Sequence, residues 1–254
     1  MVNNVEVTGM VLTVGEKTTE ESIKKLREQT VPCKEIIVVK NVTPFYKAMN
    51  RGISQVKTPF FIQCDADMLL DPDCIETMLK FIKDDIGVVI GYLWDELLGT
   101  IQAVKMFRTE CFKRLKFPNS ISPDTNCIIR LREMGWEFVF ASRDKERYGH
   151  APDVLGSHKP EYTSLYTFEK FKLEGSRIRY RGVFQEFASC LNKLKNSRHP
   201  MAQIALMGLC HGLFLEKSKD GLRPYLPSRD FKILQKFMAS TDKKNVPFAI
   251  TKGS

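Results

Sequence analysis

Three short apolar runs, each rich in β-branched or aromatic residues and each leading into a stretch with helical spacing, place the tightest limit on this fold. "VEVTGMVLTV" (5–14) leads into "TTEESIKKLREQT", "EIIVVK" (35–40) into "TPFYKAMNRGISQV", and "PFFIQC" (59–64) into "DPDCIETMLKFI". A fourth run, "GVVIGYL" (87–93), follows. Runs that are apolar throughout, rather than at alternate positions, fit strands covered on both faces. Strands alternating with helices predict an α/β fold with a parallel sheet and helices on both sides. Such sheets bind their ligands beyond the carboxyl ends of the strands. Thr18 or Thr19 is placed to cap the first helix, Pro44 to open the second, and Asp71 or Asp73 to cap the third.

After residue 93 the alternation loosens. "TIQAVKMFRTECFKRL" reads as a strand and a short helix. "SPDTNCIIRLREMG" reads as a helix opened by Pro123 and Asp124 and closed by Gly135, and "WEFVFA" reads as a strand. From about 162 the spacing is helical through "YTSLYTFEKFKLEGSRIRYRG", "VFQEFASCLNKLKN", "PMAQIALMGLCHGLFLEK" and "RDFKILQKFMAS", with "NVPFAITKGS" expected to fray. The expected division is an α/β unit over 1–160 and a basic helical region over 161–254, packed on or beside it.

Charge separates the same two parts. Residues 1–140 hold 18 Lys and Arg against 19 Asp and Glu, whereas 141–254 hold 21 against 11. An excess confined to one region predicts an anionic partner, or else a solvated basic face. The seven cysteines include no CxxC pair, and "MVNNVEVTG" has no signal-peptide pattern. Reduced thiols in a cytoplasmic protein are the expectation, with peripheral contact at the inner face of an anionic membrane. The longest apolar stretch, 201–215, has 15 residues and contains Gln203 and His211, short of the ~20 a spanning helix needs.

The residues that most suggest chemistry are in "FFIQCDADMLLDP" (60–72), where an apolar strand runs into Asp65 and Asp67. Two carboxylates at i and i+2 on a strand end can share a hard divalent cation, Mn²⁺ or Mg²⁺, whose coordination substrate phosphates complete.

The order of motifs resembles the nucleotide-binding half of GT-A glycosyltransferases, specifically the large family 2. Over about residues 5–160 it shows Gln29-Thr30 after the first helix, the strand over 35–39, Ala48-x-Asn50-x-Gly52-Ile53, and Asp65-Ala66-Asp67. A later acid opens a helix of the form D-x₅-R-x-x-x-G, matched by Asp124, Arg130 or Arg132, and Gly135. The resemblance implies a GT-A (Rossmann-like), mixed but mostly parallel sheet flanked by helices, with a helical C-terminal extension. It implies inverting, metal-dependent transfer of a sugar from a nucleotide-diphosphate donor to a glycan or glycolipid acceptor, in surface polysaccharide or glycoconjugate synthesis. Asp65 would contact the nucleoside or the metal, Asp67 would bind the metal, and Asp124 would be the general base.

A later histidine, His158 or His150, would complete the metal site, both expected in a loop after the last strand. Asn50, with Gly15 and Glu16 after the first strand, would line the donor site. Arg177 and Arg179, with Arg181, would grip diphosphate or a lipid phosphate. Relatives often carry "VDDGS" after the second strand, where this chain has "VVKNV". Asn41 replaces an acid there, which leaves uridine as donor nucleoside without its usual partner. Two other classes share parts of this pattern. A nucleotidyltransferase also uses an acid pair and a cation, but "GEKTTEES" is a poor basic Gly-rich loop. A nucleic-acid-binding protein would fit the sequence pI of about 9.1, but the chain lacks a zinc finger, RNP or KH pattern, so no nucleic acid is expected.

Overall fold

The computed structural model describes residues 5–143, 153–182 and 184–215. The expected helix over 229–240, the tail and His150 lie outside these residues. Eight strands form one sheet: β1 (Val7–Thr13), β2 (Glu35–Lys40), β3 (Phe60–Asp65), β4 (Met68–Leu70), β5 (Ile86–Asp95), β6 (Gly99–Arg108), β7 (Glu137–Phe140) and β8 (Val154–His158). The sheet order is β2-β1-β3-β6-β5-β8-β4, with β7 also paired to β5. The helices are α1 (Thr19–Arg27), α2 (Phe45–Ile53), α3 (Cys74–Leu79), α4 (Pro123–Glu133), α5 (Ser164–Arg181), α6 (Phe184–Asn196) and α7 (Ala202–Phe214).

The sheet is mixed. β1 runs parallel to β2 and β3, β6 is antiparallel to β3 and β5, and β5 is parallel to β7 and β8. Two reversals restore direction, so β1, β2, β3, β5 and β8 all end at the same edge. That edge carries Thr13, Lys40, Asp65, Asp95 and His158. Two of the continuous apolar runs are buried as expected, β1 at all seven positions and β3 at its first five, whereas β2 lies at the sheet edge and buries only Val39. Two cores cover the sheet. One joins Val11, Leu26, Ile62, Ile75 and Leu155, and the other joins Met10, Met49, Phe61, Phe107 and Leu131.

Several local expectations are corrected. Thr18 occupies the N-cap of α1, but its hydroxyl donates to the Ala66 carbonyl at 2.8 Å rather than accepting from the helix. Pro44 is the residue before α2, not its first. Asp73 stands at the N-cap of α3 without capping it. Its carboxylate instead takes the Arg143 guanidinium at 2.7 Å, and Arg143 also reaches Asp71 at 2.8 Å and Asp153 at 3.2 Å.

The helices α5 to α7 have a core of their own around Phe171, Ile178, Leu194, Ala205 and Leu209, joined by Leu97 from the β5–β6 turn. Here α5 and α7 touch backbone to backbone. A methyl group on Gly175, Gly208 or Gly212 would overlap the carbonyl oxygen of Leu209, Phe168 or Lys172 respectively. No helix among the described residues is long and apolar enough to cross a membrane, and all seven cysteines are unpaired.

Candidate active site

The acid pair is set by how its loop is pinned. Ala66 is buried, its N–H donates to the Leu12 carbonyl at 3.0 Å, and its own carbonyl accepts from Thr18. With the middle residue held inward, the flanking side chains of Asp65 and Asp67 project together beyond the strand edge. The Asp67 carbonyl accepts from the Lys159 N–H at 2.6 Å, which ties the loop to the end of β8.

Strand pairing then gathers residues far apart in sequence. His158 is the β8 partner of both Met68 in β4 and Asp95 in β5. It therefore lies on a strand, not in the expected loop. Its Nε2 is 3.3 Å from Asp67 Oδ2, and its Nδ1 is 2.6 Å from Asp95 Oδ2. Asp95 is fully buried and also accepts the Tyr162 hydroxyl at 2.5 Å. Lys170, on α5, has its ammonium over the rings of Tyr162 and Tyr166 at 5.3 and 5.6 Å.

The electrostatics follow from this crowding. Burial and then the charge of Asp67 push the Asp65 carboxyl up to about 6, while Lys105, Gln63 and His158 pull the other way. Burial works against the charge of Asp67 too, but the His158 hydrogen bond and charge hold it below the usual carboxylate range. Asp95 is buried, yet hydrogen bonds from His158 and Tyr162 hold it down at about 2. Burial disfavours a charged His158, and its two carboxylate partners more than reverse that, so its pKa is raised. Burial lowers that of Lys170 despite the pull of Asp95 and Asp67.

Asp124 is the second residue of α4, and its Oδ2 lies 3.5 Å from the Lys105 ammonium on β6. Burial opposes its charge, but Lys105 and then Arg177 keep its pKa below the ordinary value. Lys105 also acts on Asp65, so its charge is felt by both the acid pair and Asp124.

These residues fit a divalent cation on one observation in particular. Asp67 Oδ1 is buried with no hydrogen-bond partner among the described residues, beside the His158 ring. A buried carboxylate oxygen left bare is costly unless something positive takes it. Among the described residues no group of three or more His, Cys, Asp or Glu is arranged to enclose a metal by itself. That fits a hard cation whose shell is completed by phosphate and water.

Residues 16–132 match the profile of glycosyl transferase family 2. The fold is similar to that of the mannosyltransferase PcManGT from Pyrobaculum calidifontis, solved with GDP-mannose and Mn²⁺. The identity is 14%, the match covers 94% of this chain and 86% of that one, and the TM-score is 0.53. Residues 16–132 are thus similar to a family 2 glycosyltransferase domain, and the fold is of the GT-A kind. More distant matches are Staphylococcus aureus TarS 1–349, at 14% identity, 83% and 72% coverage and a TM-score of 0.46. Glucosyl-3-phosphoglycerate synthase from Mycobacterium tuberculosis, solved with Mn²⁺, UDP and phosphoglyceric acid, gives 11%, 68% and 77%, and 0.46. A search of curated protein sequences finds no match.

In this GT-A domain the other candidate residues divide. Gly15 (φ 105°) and Asn41 (φ 55°) both turn through the left-handed region at the same sheet edge, and the Asn41 N–H donates to the Thr13 carbonyl at 2.8 Å. Glu16 folds back onto its own turn, its Oε2 accepting from the Thr13 hydroxyl at 2.7 Å and the Val14 N–H at 2.9 Å. Asn50 is elsewhere: its amide donates to the Phe117 carbonyl at 3.0 Å and accepts from the Phe117 N–H at 2.9 Å. Of the three arginines of α5, Arg177 and Arg181 share Glu174, at 3.3 and 3.7 Å, and Arg179 lies two residues from each. Arg177 donates to the Ile121 carbonyl at 2.9 Å and pairs with Glu174, and Arg181 pairs with Glu186. Residues at i and i+2 on a helix point to different faces.

Sequence reasoning did not single out Lys105, Tyr162 or Lys170 for the GT-A domain. Asp95, at the end of a long strand, likewise has no local pattern that marks it. Their signal lies in pairing register and helix placement, which no local pattern encodes.

Proposed function

We propose that the chain is an inverting glycosyltransferase that moves a sugar from a nucleotide-diphosphate donor to a glycan or glycolipid hydroxyl, in surface polysaccharide or glycoconjugate synthesis. The observation that carries it is the bare, buried Oδ1 of Asp67 next to His158, at the carboxyl-end edge of a GT-A sheet. Asp65, Asp67 and His158 would hold Mn²⁺ or Mg²⁺. Such a cation, when bound, neutralises the charge that develops on the departing diphosphate.

The chain's own residues supply the rest. Gly15 and Asn41 shape the wall against which the nucleoside lies. The Lys170 ammonium, in the field of the acids and backed by two tyrosine rings, adds a cation beside the leaving group. Asp124, half-buried and ionised, takes the proton from the acceptor hydroxyl as its oxygen bonds to the anomeric carbon and the bond to the diphosphate breaks. A single displacement of this kind inverts the anomeric centre. The excess of basic residues beyond 140 supports peripheral contact with an anionic membrane that carries the acceptor.

A panel of GDP-, UDP-, ADP- and dTDP-sugars with Mn²⁺ tests the reading by release of nucleoside diphosphate. One donor should be turned over, and EDTA should abolish the turnover. Failure of every donor, or undiminished release in EDTA, would overturn it. The anomeric configuration of the isolated product, read by NMR, tests inversion.

A further inference from the structure

Asp95 closes β5, fully buried, and its two oxygens have different partners. Oδ1 accepts the backbone N–H groups of Leu97 and Leu98, each at 2.8 Å. Oδ2 faces His158 Nδ1 at 2.6 Å and accepts the Tyr162 hydroxyl at 2.5 Å. The other ring nitrogen, Nε2, lies 3.3 Å from Asp67 Oδ2. Without a cation both ring nitrogens face a carboxylate and both can carry a hydrogen. A neutral imidazole has one N–H and one lone pair, and the shorter contact, to Asp95, is where the one hydrogen stays when a cation takes the other nitrogen.

We propose that Asp95 is a positioning residue of the cation site. By accepting the Nδ1–H of His158 it fixes the ring and its tautomer, and so presents the Nε2 lone pair toward the cation that Asp67 holds. This rests on the reading above that a divalent cation binds at the acid pair. Tyr162 belongs to the same device. Its hydroxyl occupies the remaining acceptor capacity of Oδ2, and its ring carries Lys170, so one buried carboxylate places groups on both β8 and α5.

Counting donors shows what Asp95→Asn would do. An amide NH₂ cannot face the N–H groups of Leu97 and Leu98, so the amide oxygen must take the place of Oδ1 and the NH₂ must turn to His158 and Tyr162. The Tyr162 hydroxyl can rotate to accept. His158 Nδ1 can accept only by giving up its hydrogen, and the neutral ring then carries it on Nε2, aimed at Asp67. Each contact at residue 95 keeps one donor and one acceptor, so the fold survives while the ligand's lone pair is covered.

The experiment measures Mn²⁺ binding from the EPR signal of the free ion, in wild type, Asp95→Asn, His158→Gln and the double variant. Asp95→Asn should weaken binding ~10–100-fold, the usual effect of removing the outer partner of a metal-binding histidine. In the His158→Gln background the same change should cost less than about threefold. Imidazole ¹⁵N spectra of the Mg²⁺-loaded protein at about pH 8.5, with the His158 signal identified by its loss in His158→Gln, should show Nδ1–H in wild type and Nε2–H in Asp95→Asn. A folded Asp95→Asn that binds Mn²⁺ as wild type does, or an equal loss in both backgrounds, would overturn the proposal. If Asp95→Asn does not fold, the wild-type spectrum decides alone: an Nε2–H tautomer in the loaded protein overturns it, and Nδ1–H supports it. Wild-type protein that binds no Mn²⁺ would overturn the cation reading itself, a result distinct from a wrong tautomer.

Discussion

Lys105 acts on two acids. It lies 3.5 Å from Asp124 and also acts on Asp65. If Asp124 is the base, Asp124→Asn keeps shape and polarity but cannot take a proton. Transfer should fall ~10²–10⁴-fold with donor affinity nearly unchanged, measured as kcat beside donor titration. Unfolding of this variant would make the residue a structural cap. Lys105 holds the Asp124 pKa down, so removing its charge raises that pKa and Asp124 loses its ionised form at a higher pH. The acid limb of the Lys105→Met pH–rate profile, at saturating Mn²⁺, should therefore move to higher pH, and an unmoved limb would separate Lys105 from the base. Asp65, Asp67 and Asp124 were legible because each stands at a recognisable junction, a strand end or a helix start. Lys105 was not, since one lysine within a strand looks like any solvent-facing residue until β3 pairs with β6.

The elements least visible in the sequence are those that complete the site. β4 has three residues, and β8 is "VLGSH", short and mixed in polarity, so neither shows a period that a strand would impose. Their antiparallel pairing requires Gly156, whose φ of 146° and contact with the Leu69 carbonyl leave no room for a Cβ. Gly156→Ala should destabilise the protein by ~1–3 kcal/mol in urea unfolding. It should also weaken Mn²⁺ binding, because His158 lies two residues on. Unchanged values in both assays would mean that β4 and β8 pair without that close approach. The β1–α1–β2–α2–β3 half was readable for the opposite reason, since β1 and β3, buried on both faces, must be apolar throughout, and the edge strand β2 keeps a β-branched run beside them.

At the scale of the whole molecule, the buried charges give the cation-free protein a pH signature. The raised pKa of His158 makes a contribution to stability that is complete below its unfolded value of ~6.5 and is lost as pH rises through the folded value. Asp95, held at about 2, contributes above an unfolded value of ~3.9 and loses that contribution as pH falls toward 2. Urea midpoints in EDTA should therefore drop from about pH 6 to about pH 8.5 more in wild type than in His158→Gln. Parallel curves would count against the pairing of His158 with its two acids. The basic excess beyond residue 140 predicts flotation with anionic liposomes and not with neutral ones at low salt, each basic residue near the surface adding up to ~1 kcal/mol. Equal recovery with both would remove the membrane from the account.

The backbone contact between α5 and α7 bears on how the enzyme is made. Both aspartates of the pair, Asp95 and His158 are synthesised before α5 begins, and α7 ends at Phe214. At ~5–20 residues per second, several seconds of translation separate His158 from the helix that seats α5. During that interval a nascent chain holds every acid and the histidine, while the glycine-notched side of α5, with Phe171 and Ile178 beside it, still faces water. Lys170 lies on α5, so the growing polypeptide carries Asp65, Asp67 and His158 well before the helix that bears Lys170 is seated against α7.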